Sequence, residues 1–228
     1  MTTATTQERR TTGLILAAGA GTRLGRGPKA LLPFRGRPLV EAVAAALLDG
    51  GCRDVVVVLG AGAAQVVAAA KLDGCQVVTN PDWESGMGSS FLLGLATADP
   101  ADDVMVALVD QPGLTSETVR RLLDAHRPGR VTAAAYRRAD SGDVGPAAPV
   151  GSVTPAGSAT PGRAATPHRG HPLLIDSSLR AAVAETVTGD AGARGFLRSH
   201  PELVDEVDCS DQSTGEDIDT PDQLRLLE

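Results

Sequence analysis

Aromatic side chains are almost missing from this chain of 228 residues, at 2% of the total. Five scattered rings (Phe34, Trp83, Phe91, Tyr136 and Phe196) cannot form a stacking platform for single-stranded nucleic acid. Positive charge is also short. The formal net charge is −7, which argues against non-specific binding to a polyanion such as DNA. Lysine is scarcer still, with only Lys29 and Lys71; arginine supplies the other basic residues. The three cysteines (Cys52, Cys75 and Cys209) lie far apart and form no CxxC pair. Their spacing offers no cysteine zinc cluster and no disulfide framework, and leaves them as small core residues in a reducing compartment. No hydrophobic run is long. The longest, residues 55–64, contains turn glycines and falls well short of the ~20 residues that cross a bilayer. Residues 1–12 are threonine-rich and lack the apolar stretch of a signal peptide. The expectation is a cytoplasmic protein with neither nucleic acid nor membrane as partner.

What the chain does have is alternation. Strand-like aliphatic runs at 13–18, 55–59, 75–79, 104–109 and 131–136 are separated by helical patterns at 38–48, 63–72, 89–98 and 116–126. The β-branched run at 55–59 is typical of a strand buried on both faces. This order predicts an α/β fold with a mostly parallel sheet and helices on both faces. Ligands in such sheets bind at the carboxyl ends of the strands. The pattern breaks at 140–167, a stretch of Pro, Gly, Ala, Ser and Thr that reads as a flexible insertion in one domain spanning 1–228. Structure is expected to resume with a strand at 173–175. Helices near 177–185 and 193–199, a strand near 203–207 and a last helix from Thr220 follow.

Charge is unevenly spread. Residues 19–40 hold Arg23, Arg26, Lys29, Arg35 and Arg37 and no acid, whereas residues 201–222 hold nine acids and no base. Alone, these are two solvated patches. The glycine loop gives the first one a second meaning. Residues 14–29 read LILAAGAGTRLGRGPK, a buried strand feeding a turn in which glycines let backbone N–H groups face a phosphate. The dinucleotide fingerprint fails because Leu24 stands at its third glycine position, and the second strand ends in Leu59-Gly60 and not in an acid. The Walker pattern fails because Lys29 is followed by Ala30. Arg26, Arg35 and Arg37 read equally well as surface charge.

Three further segments bring carboxylates and small residues to the same edge. Asp110 ends a buried strand before Gln111-Pro112; it is either a turn residue or a hard oxygen ligand for Mg²⁺. Asp217, Asp219 and Thr220 precede Pro221. Asp219 or Thr220 reads as a helix cap, and one of the two aspartates as a second metal ligand, with Asp219 preferred. Residues 80–90, NPDWESGMGSS, end as a helix N-terminus where a ligand can lie against backbone N–H groups. His171, in the sequence RGHP, is a substrate contact or an ordered turn residue. Asp190, in GDAGAR, is a candidate cap for the helix that follows.

The elements LAAGAGTRLGRGPK, NPDWESGMGSSFLLGL, VDQP, RGHP, GDAGAR and DIDTP occur in that order over nearly the whole chain. Together they resemble the molybdenum cofactor cytidylyltransferase family, a branch of the nucleotidyltransferases that includes related guanylyltransferases. The resemblance implies a three-layer α/β/α sandwich with a Rossmann-like sheet. It implies Mg²⁺-dependent transfer of CMP or GMP from CTP or GTP to the terminal phosphate of molybdopterin, with release of pyrophosphate. It places the nucleotide on Leu16, Ala17, Ala18, Gly19, Ala20, Gly21, Thr22, Arg23, Lys29, Asn80, Gly86 and Ser90, with Ser90 contacting the base. Arg23, Lys29 and Asp110 would be catalytic, Asp110 and Asp219 would hold the metal, and His171 and Asp217 would meet the acceptor. LAAG is the CTP-like form of the first motif. A molybdoenzyme or its maturation factor is the implied protein partner. The insertion at 140–167 departs from the family pattern and leaves the acceptor open. A sugar-phosphate acceptor and a non-catalytic nucleotide-binding regulator are the alternatives; a dinucleotide oxidoreductase is disfavoured by the broken fingerprint.

Overall fold

The first strand, β1 (Thr11–Ala17), is buried along its whole length, as an aliphatic run in the middle of a sheet must be. It appears in a computed structural model that describes residues 9–137 and 167–228. The expected insertion at 140–167 lies, except for its last residue, outside those described residues. Eight more strands follow: β2 (Pro33–Phe34), β3 (Arg37–Pro38), β4 (Asp54–Leu59), β5 (Cys75–Thr79), β6 (Asp103–Leu108), β7 (Val131–Tyr136), β8 (His168–Ile175) and β9 (Val204–Asp208). The helices are α1 (Leu39–Gly50), α2 (Ala63–Ala69), α3 (Met87–Thr97), α4 (Ser116–Ala125), α5 (Arg180–Glu185) and α6 (Arg194–Ser199).

Seven strands form one sheet in the order β5-β4-β1-β6-β8-β7-β9. β1 pairs in parallel with β4 and β6, and β4 with β5. β8 pairs antiparallel with both β6 and β7, while β7 pairs in parallel with β9. One reversed strand therefore interrupts an otherwise parallel sheet. That reversal matters for the site: it brings the start of β8, with His171, to the edge where β1 and β6 end.

Two hydrophobic cores cover the two faces. Ile15 and Ala17 of β1 join α1 residues such as Leu39, Val43 and Leu47 on one side, with Val119 and Leu122 of α4. Leu14 and Leu16 join Phe91 and Leu95 of α3, Val183 of α5 and Phe196 of α6 on the other. The alternation along one strand is the period-2 geometry of a pleated sheet, and the result is a three-layer α/β/α arrangement. Some elements depart from those expected. The Phe34–Arg37 stretch folds as the β2–β3 hairpin, with Arg35 at φ 49° and Gly36 at φ 80°, the left-handed pair that a tight hairpin turn demands. The segment Pro221–Leu227 is a 3₁₀ helix, not an α-helix.

Long-range polar contacts pin helices to the sheet. Thr115 caps α4, its side chain accepting from the Thr118 N–H at 3.1 Å. Arg180 is buried and donates to the carbonyls of Leu95, Ala98, Asp99 and Asp102, closing the C-terminal end of α3. Arg180→Met should lower the unfolding free energy by about 3 kcal/mol, because it leaves those carbonyls without their donor. Urea denaturation checks this, and an unchanged midpoint would contradict it.

Candidate active site

The cleft at the carboxyl ends of β1 and β6 begins with the glycine loop. Gly21 takes φ 61°, and a Cβ there would stand 2.7 Å from the Gly27 carbonyl oxygen and 3.3 Å from Lys29 Cγ. Only glycine lets the loop fold back this tightly. The fold-back sets Lys29 at the start of a short 3₁₀ turn, Lys29–Leu31, facing the end of β6. Its ammonium donates to Asp110 Oδ2 at 2.7 Å and to Asp219 Oδ1 at 2.6 Å. Burial works against the charged lysine, but the Asp110 and Asp219 carboxylates outweigh it, so its pKa lies above the ordinary lysine value. One ammonium thus bridges residues 81 and 190 positions away along the chain.

The C-terminal stretch is laid against β6 by its backbone. The Ile218 N–H donates to the Asp110 carbonyl at 2.9 Å, and the Ile218 side chain is fully buried. That anchor points Asp217 and Asp219 at the site. Asp217 Oδ1 accepts from Gln111 Nε2 at 2.7 Å. Burial and the nearby Asp110 charge raise its pKa, against the opposing pull of the Gln111 hydrogen bond. Asp219 is held from the other side, where Gln223 Oε1 accepts from the backbone N–H groups of Asp219 and Thr220, both at 2.9 Å.

Two adjoining cavities share this edge. The first, about 690 Å³, holds Leu16, Ala18 to Arg23, Lys29, Gly86, Ser90, Asp110 and Asp219. The second, about 750 Å³, holds Gln111, His171, Arg194 and Asp217. Leu16, Met87, Leu108, Asp190 and Arg194 line both, so the two are halves of one groove. Burial, with the Arg194 charge adding to it, pushes the His171 imidazole down to about 4, so it is neutral at neutral pH.

Most residues expected at the site converge here, with four corrections. Ala17 is buried in the core and lines neither cavity. Asn80 is buried behind the wall; its Nδ2 donates to Ser89 Oγ at 2.8 Å and Ser90 Oγ at 2.9 Å, so it holds Ser90 in place and does not face the cleft. The first N–H groups of α3 are not free for a ligand. Met87 N–H donates to Asp190 Oδ1 at 2.9 Å and Gly88 N–H to the Gly189 carbonyl at 2.7 Å. Asp190 therefore caps α3, and not the helix that follows it in sequence. Gly86 permits that contact: at φ 113°, a Cβ there would stand 2.8 Å from both Asp190 Oδ1 and the Gly189 carbonyl carbon. Gln111 and Arg194 are the residues that sequence reasoning missed. Both lay inside recognised motifs, VDQP and GDAGAR, but nothing local marks which side chain of a motif turns inward.

The family model of the MobA-like NTP transferase domain matches residues 13–204. The chain belongs to that family. It is a nucleotidyltransferase of the MobA-like type, with the α/β fold of its structural neighbours. A curated relative, nicotine blue oxidoreductase of Paenarthrobacter nicotinovorans, is 56% identical over 217 residues, covering 95% of this chain and 96% of that protein. The crystal structure of Rv0371c from Mycobacterium tuberculosis H37Rv superposes with a TM-score of 0.73 at 27% identity, covering 96% of this chain and 97% of that one. Rv0371c has also been crystallised in complex with manganese, and that structure gives a TM-score of 0.71 at 26% identity over the same shares. No helix among the described residues is long and apolar enough to cross a membrane.

Proposed function

We propose that this MobA-like enzyme transfers CMP from CTP to the terminal phosphate of molybdopterin. A phosphate oxygen of the acceptor attacks the α-phosphorus, a new P–O bond forms, the bond from the α-phosphorus to the oxygen bridging to the β-phosphate breaks, and that oxygen leaves with pyrophosphate. The nucleophile is already an anion, so no general base is needed. The observation that carries the reading is the Lys29 ammonium held between Asp110 and Asp219 in the first cavity, which the glycine loop also lines. Catalysis of this type is positioning plus charge neutralisation. Backbone groups from Ala18 to Thr22, with Arg23 and Lys29, would hold the triphosphate. Ser90 would meet the base. His171, Gln111, Arg194 and Asp217 would meet the acceptor, with Arg194 offering its phosphate a guanidinium.

A divalent cation fits the donor set. Two carboxylates already share one cation, the Lys29 ammonium, and hard oxygen ligands suit Mg²⁺ or Mn²⁺. Asp110 and Asp219 would hold it, and it would neutralise charge on the α-phosphate. The choice of CTP over GTP rests on the LAAG form of the loop. A molybdoenzyme or its maturation factor would receive the product, and the setting would be the cytoplasm.

The name of the relative in P. nicotinovorans favours a second reading, in which the same groove serves an oxidoreductase that acts on nicotine blue. One assay separates them. The enzyme is supplied with each of the four triphosphates and Mg²⁺, with and without molybdopterin. In parallel it is given NADH or NADPH with nicotine blue. Pyrophosphate release that needs both CTP and molybdopterin supports the transferase reading. Cofactor oxidation with nicotine blue and no pyrophosphate from any triphosphate would overturn it.

A further inference from the structure

The edge of the sheet opposite the nucleotide groove carries a second constellation. Asp103 opens β6, Asp176 follows the reversed strand β8, and His126 follows α4. Because β8 runs against β6, its last residues meet the start of β6, and Asp103 and Asp176 arrive side by side. One ligand atom from each of Asp103, His126 and Asp176 can be chosen so that all three lie within 4.8 Å of one another. Asp103 and Asp110 are the two ends of one strand region, roughly 20 Å apart at ~3.3 Å per residue, so this is not the catalytic cluster.

We propose that Asp103, Asp176 and His126 form a second divalent-cation site, of the zinc class, at this edge. Three features carry it. First, His126 Nε2 is buried and has no hydrogen-bond partner among the described residues, although the side chain is only 4% exposed. It points at Asp103 Oδ2 (3.8 Å) and Asp176 Oδ2 (4.0 Å). An orphaned buried polar atom needs a reason, and a cation between it and two carboxylates supplies one.

Second, the outward atom of each ligand is fixed by its inward atom. His126 Nδ1 lies 2.7 Å from Thr132 Oγ1, so with Nδ1 donating, Nε2 keeps its lone pair. Asp103 Oδ1 accepts from Ser177 N–H at 2.8 Å. Asp176 Oδ1 accepts from Ser178 N–H at 2.9 Å and Ser178 Oγ at 2.5 Å. That leaves Asp103 Oδ2, Asp176 Oδ2 and His126 Nε2 facing one point. Outer hydrogen bonds of this kind orient metal ligands.

Third, a cation already sits there. The Arg9 guanidinium donates to Asp103 Oδ2 at 2.7 Å and to Asp176 Oδ2 at 2.5 Å. Its side chain is 41% exposed, and it lines both cavities that border the cluster, about 410 and 430 Å³. Arg9 can therefore swing out and give up its place, which the buried acids cannot. One imidazole nitrogen and two carboxylate oxygens, with open positions left for water, suit zinc.

The test is Zn²⁺ binding to the full chain, read by competition with a chromophoric chelator in millimolar Mg²⁺. The magnesium keeps the acidic nucleotide edge occupied. Wild type should bind one zinc tightly. His126→Gln should weaken it at least ~10-fold. Arg9→Ala, an exposed change that leaves the core intact, should tighten it by removing the competing cation. Zinc affinity unchanged in both variants would overturn the proposal. So would zinc binding abolished by Asp110→Asn.

Discussion

Lys29→Ala is expected to lower CTP-dependent pyrophosphate release at least ~100-fold, the scale of losing one fixed transition-state donor. The ammonium joins the glycine loop, the end of β6 and the C-terminal stretch. Removing it leaves Asp110 and Asp219 facing each other without that cation and takes a positive charge from the triphosphate. Lys29→Arg should not restore the rate. A planar guanidinium cannot offer two carboxylates the compact charge that a rotating ammonium does. Steady-state turnover with circular dichroism as a folding control reads this out. Near-wild-type turnover in a folded Lys29→Ala would remove Lys29 from the mechanism.

The second large effect is expected at Asp110. Asp110→Ala and Asp110→Asn should each lower turnover at least ~100-fold. The asparagine variant is the sharper probe, since it keeps the shape of the side chain and removes only the charge. If Asp110 served only as a turn residue before Gln111-Pro112, Asp110→Asn would be nearly silent. The two readings of this residue therefore part by two orders of magnitude in one measurement. Raising the Mg²⁺ concentration should recover part of the loss in Asp110→Asn, because Asp219 would still offer one ligand. It should recover none in Lys29→Ala.

The central strands were legible because burial on both faces leaves a plain mark. The VVVV run of β4 and the VMVAL run of β6 have no polar interruption, and both form where expected. The glycine loop was legible because its φ-positive turn needs a residue that the sequence shows directly, as at Gly21. What stayed hidden depended on distant partners. Nothing in the residues 168–175 states that β8 runs backwards, because its buried end, Pro172–Ile175, has the composition of a buried strand in either direction. The direction was nevertheless decisive, since it carries His171 to the groove and Asp176 to the opposite edge. Asp190 has the local signature of a cap, and it is one, but for α3, whose first residues lie about a hundred positions earlier. Asn80 sits in a motif expected to border the nucleotide, and its side chain donates to Ser90 Oγ instead of facing the cleft. The pairings of Gln111 with Asp217 and of Arg180 with the end of α3 likewise have no periodicity to betray them.

The most direct measurement is a crystal structure of the enzyme with CTP and Mn²⁺, whose anomalous signal locates the ion independently of the protein density. A manganese peak is expected on Asp110 and Asp219, with the triphosphate along Ala18–Arg23 and the base beside Ser90. Nucleotide bound elsewhere, or a groove that holds no manganese at Asp110 and Asp219 when CTP is present, would contradict it.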